Sequence, residues 1–188
     1  MDNAKPKILS VKTVGNSRLF KTEEVKLEFD NGEQVAFERL CGSGAVMVIA
    51  VHDNHVYLVN EYAVGVEKYL LGFVKGRLEK DENPKQGANR EIQEEIGFAA
   101  NRLEYLRTIA VAPGYTNFHT HIVIASDLYP SRLAGDEPEQ LEVVKVPLDE
   151  LDSLFERDDF VESRSLLGLY LLKDWLAQHS EKNRDGFN

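Results

Sequence analysis

A helix with signals at both of its ends, within residues 76–97, constrains the fold more than any other feature of the chain. Asn83 suits the cap before the first turn, and Gln86 stands where the reciprocal partner of a capping box belongs. Pro84 suits the first helical position, and Gly97 suits the position after the last turn. The sequence therefore predicts a helix that begins and ends between these signals.

Three glutamates of this helix, Glu91, Glu94 and Glu95, follow the spacing i, i+3 and i+4. Side chains at that spacing project from one side of a helix, so the three carboxylates lie close together. Each close pair costs about 4 kcal/mol at ~4 Å when the effective dielectric constant is about 20. A hard cation would remove that cost, and all-oxygen ligands favour Mg²⁺ or Mn²⁺. By themselves, three such glutamates are also compatible with a solvated acidic helix face.

The residues around the glutamates help to decide between a metal site and a solvated face. Gly76, Glu82, Arg90 and Gly97 stand at fixed distances from them, which gives seven defined identities in one segment. At background frequencies of about 6–7% each, such a match arises by chance on the order of once in 10⁸ windows. An isolated acidic helix face is therefore a poor explanation of the segment.

The rest of the chain predicts strands before, between and after the helical segments. Apolar runs indicate strands at residues 8–14, 25–29, 34–40, 45–50, 56–60, 103–111, 121–125 and 142–147. Asp30, Asn31 and Gly32 indicate a hairpin turn. Helices are predicted at residues 84–96, 148–156 and 160–178. This order favours the α+β class, with an α/β/α sandwich on a mixed sheet.

The first three predicted strands indicate a small amino-terminal antiparallel β unit. The sequence predicts this unit over residues 1–43 and a larger domain over residues 44–188. A meander of three strands has an apolar face that needs a partner surface to cover it.

Charge and cysteine content limit the partners and the compartment. A net charge of −10 argues against binding to nucleic acid or to an anionic membrane, since both require a basic surface. Cys41 is the single cysteine, so no disulfide can form within the chain, and a reducing compartment is expected. No secretory signal is visible, and the apolar carboxyl-terminal stretch contains Arg164, Lys173 and Asp174. The protein is therefore expected to be cytoplasmic.

The pattern over residues 76–97 resembles the Nudix box, and it meets every defining position of that motif. The resemblance implies an α/β/α Nudix fold and hydrolysis of a nucleoside diphosphate linked to another group. The metal ligands that it implies are carboxylates or backbone carbonyls of Lys75, Gly76, Glu91, Glu94 and Glu95. It also implies that Arg90 is an ion-pair partner that orients the carboxylates, and that Glu82 fixes the loop before the helix.

A second acidic segment, residues 135–139, offers the general base that the reaction needs. The segment lies in a predicted loop, where it is either a mobile lid over the site or simply a solvated acidic loop. The resemblance favours Glu137 as the base, acting with Glu94 and Glu95, and Glu139 as an accessory metal ligand.

Outside the box, residues 8–178 resemble the ADP-ribose pyrophosphatase side of the superfamily, and most closely the bacterial ADP compounds hydrolases of the NudE type. The segments that carry this likeness are residues 17–20, 37–39, 61–65, 72–76, 127–130 and 135–139. Pro113 lies sixteen residues beyond Gly97, where the ADP-ribose-specific branch has a proline. Ala63 and Leu70 depart from the ADP-sugar relatives, which favours a broader range of ADP compounds.

The resemblance implies cleavage of ADP-ribose, diadenosine triphosphate or NADH to AMP and a second phosphorylated product. Adenine needs an aromatic face, and Phe20, Phe37 and Tyr62 are the candidates, although each is also compatible with ordinary sheet packing. Arg39 could bind phosphate oxygens through its planar fork, although it could also form an ordinary surface ion pair. Relatives of this side are homodimers that exchange amino-terminal sheets, which would bring Phe37 or Arg39 into the partner's active site.

Two other functions stay open. One is a Nudix hydrolase that acts mainly on diadenosine polyphosphates or NADH, and the other is a sensor that binds ADP-ribose without cleaving it. His119 and His121 share one face of a predicted strand, where they suit either a transition metal or a surface role, and the surface role is favoured.

Overall fold

The computed structural model describes residues 5–135 and 139–185, which fall into two compact units. The first unit contains the described residues up to Ala45 together with Thr108–Thr120. The second contains Val46–Arg107 and the described residues from His121 onward. The predicted boundary after residue 43 stays a prediction, because the first unit also takes in a segment from the middle of the chain.

The first unit is built on a three-stranded antiparallel sheet with the order β1-β2-β3. Its strands are β1 (Lys7–Asn16), β2 (Lys21–Glu28) and β3 (Gln34–Cys41). The predicted turn between β2 and β3 is present, and Gly32 adopts a φ of 80° there, which glycine tolerates best. Leu40 also forms an isolated bridge with Thr116.

The second sheet has seven strands with the order β10-β5-β4-β9-β8, while β6 pairs with β5 and β7 pairs with β4. The strands are β4 (Ala45–His52), β5 (His55–Ala63), β6 (Lys68–Gly72), β7 (Val74–Arg77), β8 (Phe98–Ala110), β9 (His119–Pro130) and β10 (Glu142–Pro147). The two short strands β6 and β7 were not among the strands that the sequence predicts.

Helix α1 (Pro84–Glu95) forms where the sequence predicts it. Asn83 Oδ1 accepts hydrogen bonds from the backbone N–H of Lys85 and Gln86, at 3.0 and 3.1 Å, and Gln86 Oε1 accepts the Asn83 N–H at 3.0 Å. The capping box is therefore confirmed. Gly97 follows the helix with a φ of 75°, and the chain continues directly into β8.

The carboxyl-terminal helical segments are shorter or later than predicted. A 3₁₀ helix spans Leu151–Glu156, where a helix over residues 148–156 was expected. Helix α2 spans Ser163–Asp185 and begins three residues after the predicted start. The reason is Glu162, whose Oε2 accepts the Ser165 N–H at 3.0 Å and thereby caps the first turn of α2.

The core of the second unit fixes the orientation of α1. Ala88, Ile92 and Ile96 are buried on one side of this helix, in a cluster with apolar residues of the sheet such as Val48 and Val123. Glu91 of the same helix is buried next to this apolar side. No helix among the described residues is long and apolar enough to cross a membrane.

Candidate active site

Gly76 in β7 lies directly against the carboxylate of Glu91. A side-chain carbon built on Gly76 would stand 1.8 Å from Glu91 Oε1 and 2.0 Å from its carboxyl carbon, so only glycine fits there. Glu91 is 6% exposed, which is rare for a carboxylate. The close approach puts the backbone of β7 and this carboxylate within reach of one shared cation.

Arg90 links the carboxylates around the start and the middle of α1. Its Nη1 donates to Glu91 Oε1 and Glu94 Oε2, both at 2.8 Å. Its Nε and Nη2 donate to the two oxygens of Glu82 at 3.0 Å, as a bidentate pair. The Glu82 carboxylate raises the pKa of Arg90, and in turn Arg90 lowers the pKa of Glu82. The structure thus brings Glu82, Arg90, Glu91 and Glu94 together.

Lys75 carries a buried ammonium group that sequence reasoning did not single out, since only its backbone carbonyl was a candidate ligand. Its Nζ donates to the Phe73 carbonyl oxygen at 2.8 Å. Burial lowers the pKa of Lys75, and the carboxylates of Glu61, Glu162 and Glu95 oppose that shift. The sequence signal for this ammonium group was the position of the lysine, directly between the apolar Val74 and Gly76.

The acidic segment is tied to α1 on its amino-terminal side. Ser131 N–H donates to the Gly97 carbonyl at 3.1 Å, and Leu133 N–H donates to the Gln93 carbonyl at 3.2 Å. Ser131 Oγ donates to Gln93 Oε1 at 2.8 Å. A side-chain carbon on Gly135 would lie 3.8 Å from Glu94. The chain before the acidic segment therefore runs along the last turn of α1, next to Gln93 and Glu94.

On its carboxyl-terminal side the acidic segment contacts β6. Tyr69 Oη donates to Glu139 Oε1 at 2.9 Å, and this bond raises the pKa of Tyr69. The Tyr69 ring also packs edge-on against Tyr62, with centroids 5.3 Å apart. Tyr69 thus connects two predicted site residues, Tyr62 and Glu139. Glu137 lies outside the described residues.

Three of the predicted substrate residues lie together in the first unit. Phe37, Arg39 and Pro113 line one open cavity of about 370 Å³. Phe20 is exposed beside a tight turn that begins at Ser17, and it does not line this cavity. Tyr62 belongs to the second unit.

The donor set of α1 suits a hard cation. Within residues 5–135 and 139–185, no three His, Cys, Asp or Glu side chains are arranged to hold a metal ion by themselves. Mg²⁺ does not require that, because it commonly binds one or two carboxylates and completes its shell with water and substrate phosphates. The buried Glu91 against the β7 backbone at Gly76, with Glu94 beside it, offers such oxygens. These residues therefore fit a divalent cation of this kind.

The two histidines of β9 do not change this assignment. His121 packs its ring near that of Tyr105, with centroids 6.1 Å apart. His119 is exposed. The structural or surface role expected for these two histidines stays a prediction.

Comparisons with known proteins agree on the family. A model of the NudE-type Nudix hydrolase N-terminal domain matches residues 6–39, and a model of the NUDIX domain matches residues 43–166. The chain is 47% identical over 174 residues to the ADP compounds hydrolase NudE of Escherichia coli (strain K12), across 92% of this chain and 94% of that protein. It is 27% identical over 184 residues to the ADP-ribose pyrophosphatase of Bacillus subtilis (strain 168), across 94% of this chain and 100% of that protein.

A solved structure supports the fold directly. The crystal structure of an ADP compounds hydrolase matches with a TM-score of 0.90 and 44% identity, over 95% of this chain and 98% of that chain. The predicted sandwich on a mixed sheet, with a small amino-terminal antiparallel unit, is thereby confirmed. Members of this family generally require a divalent metal. The complete box on α1, the two domain matches and the identity over nearly the whole length lead to one conclusion: the chain belongs to the Nudix hydrolase family, with an amino-terminal domain of the NudE type.

Proposed function

We propose that this protein hydrolyses the diphosphate bond of ADP-linked compounds and releases AMP and a second phosphorylated product. The observation that carries the proposal is the carboxylate cluster of α1, where Arg90 bonds both Glu91 and Glu94 beside the backbone of Gly76. The similarity to an ADP compounds hydrolase over 92% of this chain supports the substrate class.

The metal in the proposal is Mg²⁺, with Mn²⁺ as a possible substitute. Glu91, Glu94 and Glu95 would hold it together with a backbone carbonyl of Lys75 or Gly76, and Glu139 would be an accessory ligand. When bound, the cation neutralises the charge of the diphosphate and stabilises the charge that develops on the phosphoryl oxygens. The role of Arg90 is to orient the carboxylates, since its Nη1 donates hydrogen bonds to both Glu91 and Glu94.

The proposed general base is Glu137, which would accept the proton of the attacking water. The support for this assignment comes from its described flanks. Ser131 and Leu133 bond the last turn of α1 on one side, and Glu139 bonds Tyr69 on the other. Both anchors belong to the unit that holds the glutamate helix.

The adenylate half of the substrate would bind through aromatic and basic residues. Phe37, Arg39 and Pro113 line one cavity, which offers an aromatic face beside a guanidinium group. Phe20 and Tyr62 remain candidates for stacking on adenine. The departures at Ala63 and Leu70 favour a broad range of ADP compounds over strict selectivity for ADP-ribose.

The protein is proposed to act as a homodimer through its amino-terminal strands, in the cytoplasm. The first unit exposes large apolar side chains at Ile8, Val11, Val14, Leu19, Phe20 and Phe37. Scattered exposed apolar residues are normal, but several of them within one small unit suit an interface. Exchange of these sheets would bring the partner's Phe37 or Arg39 to the active site.

The test is a comparison of ADP-ribose, diadenosine triphosphate and NADH under identical conditions with Mg²⁺, with AMP release as the readout. The proposal expects AMP from at least one of the three and loss of activity with EDTA, restored by Mg²⁺ or Mn²⁺. A main activity on diadenosine triphosphate or NADH would favour the narrower alternative. Failure to release AMP from any of them would refute the proposed substrate class.

Substitution of Glu95 separates an enzyme from a sensor. Glu95→Gln removes a charge from the proposed metal set, so turnover should fall at least ~10²-fold while the far-ultraviolet circular dichroism stays unchanged. A sensor would instead bind ADP-ribose in a calorimeter and release no AMP in either variant. Wild-type turnover in Glu95→Gln would remove Glu95 from the catalytic set.

A further inference from the structure

Arg39 is held by a carboxylate on the neighbouring strand that no sequence motif indicated. Glu23 of β2 stands directly opposite Arg39 of β3 in the strand register. Arg39 Nε and Nη2 both donate to Glu23 Oε2, at 3.1 and 2.8 Å. Lys21 Nζ donates to the other oxygen, Oε1, at 2.7 Å. The Glu23 side chain is 12% exposed, whereas the Arg39 side chain is 40% exposed.

The Arg39 side chain stays partly exposed beside these contacts, and the Cys41 side chain also interacts with it. A guanidinium presents two paired edges, one formed by Nε and Nη2 and the other formed by Nη1 and Nη2. Glu23 occupies the first edge of Arg39. The second edge is the one that can donate two parallel hydrogen bonds to a phosphate.

The charges of the cluster also favour an anion. Lys21, Arg39 and the Cys41 thiol all bond Glu23 and lower its pKa to about 2, so the carboxylate is ionised at any physiological pH. A lone ionised carboxylate beside Arg39 would repel a phosphate. Lys21 compensates that charge, which leaves the cluster with one net positive charge.

The surroundings of Arg39 suit a nucleotide. Phe37 and Arg39 are two residues apart on β3, so their side chains project from the same face. The same two residues line the cavity of about 370 Å³, together with Pro113 and Gly114. An aromatic face and a guanidinium edge at this spacing match the base and the phosphate of an adenylate.

We propose that Glu23, with its charge compensated by Lys21, is a positioning residue that holds one edge of Arg39 so that the other edge binds a phosphate of the ADP moiety. This inference rests on the proposed function, since it takes Arg39 as a substrate contact. Glu23 itself does not touch the substrate. Its contribution is to order a long side chain before the substrate arrives, which lowers the entropy lost on binding.

Glu23→Gln tests the inference, because the amide keeps the size of the side chain and removes its charge. The expected result is an increase of KM for the best ADP substrate by about 5- to 20-fold with kcat unchanged, as for loss of uniform binding. Glu23→Asp, which keeps the charge on a shorter side chain, should lie between Gln and wild type. An unchanged KM, or a fall in kcat alone, would overturn the inference.

The matched control is Glu28→Gln, in the same pair of strands. Glu28 accepts a hydrogen bond from its register partner Gln34 at 2.7 Å, and neither residue contacts Arg39 in the structure. A role in sheet stability alone predicts that both variants behave alike. The inference predicts an unchanged KM in Glu28→Gln, and an equal increase in both variants would contradict it.

A double-mutant cycle with Arg39→Gln separates the inference from the proposed function. If Glu23 acts through Arg39, then Glu23→Gln adds no further increase of KM in the Arg39→Gln background. An increase in Arg39→Gln but not in Glu23→Gln would overturn the inference and leave the phosphate contact standing. An equal effect of Glu23→Gln in both backgrounds, or an unchanged KM in Arg39→Gln, would also overturn it.

Equilibrium binding keeps the test independent of catalysis. Titration of AMP in a calorimeter should show the same weakening in Glu23→Gln as the KM does, even if none of the three substrates is hydrolysed. Wild-type AMP affinity in a folded Glu23→Gln variant would refute the positioning role.

Discussion

A side chain at Gly76 would meet another atom at a shorter distance than at any other glycine measured in the described residues. The missing side chain lets the Glu91 carboxylate lie against β7, where a built carbon would stand only 1.8 Å from an oxygen. Neither group can move cheaply, because Glu91 is also held by Arg90 at 2.8 Å. The position of this carboxylate therefore depends on the absence of a side chain at Gly76.

Gly76→Ala should displace Glu91 or the end of β7 and lower kcat at saturating Mg²⁺ by about 10²-fold, since misplacement by an ångström costs that much. Steady-state AMP release measures the effect. Gly65→Ala is the control, because a carbon built on Gly65 meets no atom within 4 Å, and it should retain the wild-type rate. Near-normal turnover in Gly76→Ala would show that the Glu91 position is not critical.

The pH dependence of folding should report on Glu23. Its pKa is lowered from 4.5 to about 2 by Lys21, Arg39 and Cys41, so the folded state binds fewer protons than the unfolded state. The stabilisation is present above pH 4.5 and is lost as the pH falls towards 2. Urea unfolding between these values should show a steeper loss of stability in wild type than in Glu23→Gln. Parallel curves for the two proteins would mean that the pKa of Glu23 is not lowered in the fold.

At the scale of secondary-structure elements, α1 owes its position to local capping and to one apolar side. The bonds of Asn83 and Gln86 satisfy backbone groups that the first turn would otherwise leave open. The glutamates begin only two turns later, so the start of the helix sets where they point.

Asn83→Ala should therefore destabilise the protein by about 1 kcal/mol, the usual cost of losing a capping side chain. The midpoint of urea unfolding measures this change. Asn83→Ser keeps an oxygen acceptor and should stay close to wild type. If the alanine variant were as stable as the serine variant, the capping box would contribute nothing measurable.

The elements that the sequence predicted well are those with local signals. Helix α1 was predictable from Asn83, Gln86 and Gly97, because a capping box and a helix stop depend on neighbours in the chain. Strands β6 and β7 were not predicted, since they span only five and four residues and contain Gly72 and Gly76. Strand β8 starts at Phe98, earlier than predicted. This start was missed because β8 is at the end of the sheet order and its first half mixes apolar and polar residues.

At the scale of the whole molecule, the contacts that sequence reasoning missed join distant parts of the chain. Tyr69 and Glu139 are separated by 70 positions, and Ser131 and Gln93 by 38, so no motif spacing indicates them. Glu23 was missed for the same reason, since only the strand register pairs it with Arg39. The glutamates were found because a single helix carries all of them.

The central claim is that water attacks a phosphorus of an ADP-linked diphosphate. Hydrolysis of ADP-ribose in ¹⁸O-labelled water, followed by mass analysis of both products, tests it most directly. The claim predicts AMP and a sugar phosphate, with one ¹⁸O atom on the phosphate of one of them. Formation of ADP and a sugar labelled on carbon, or no AMP at all, would contradict it.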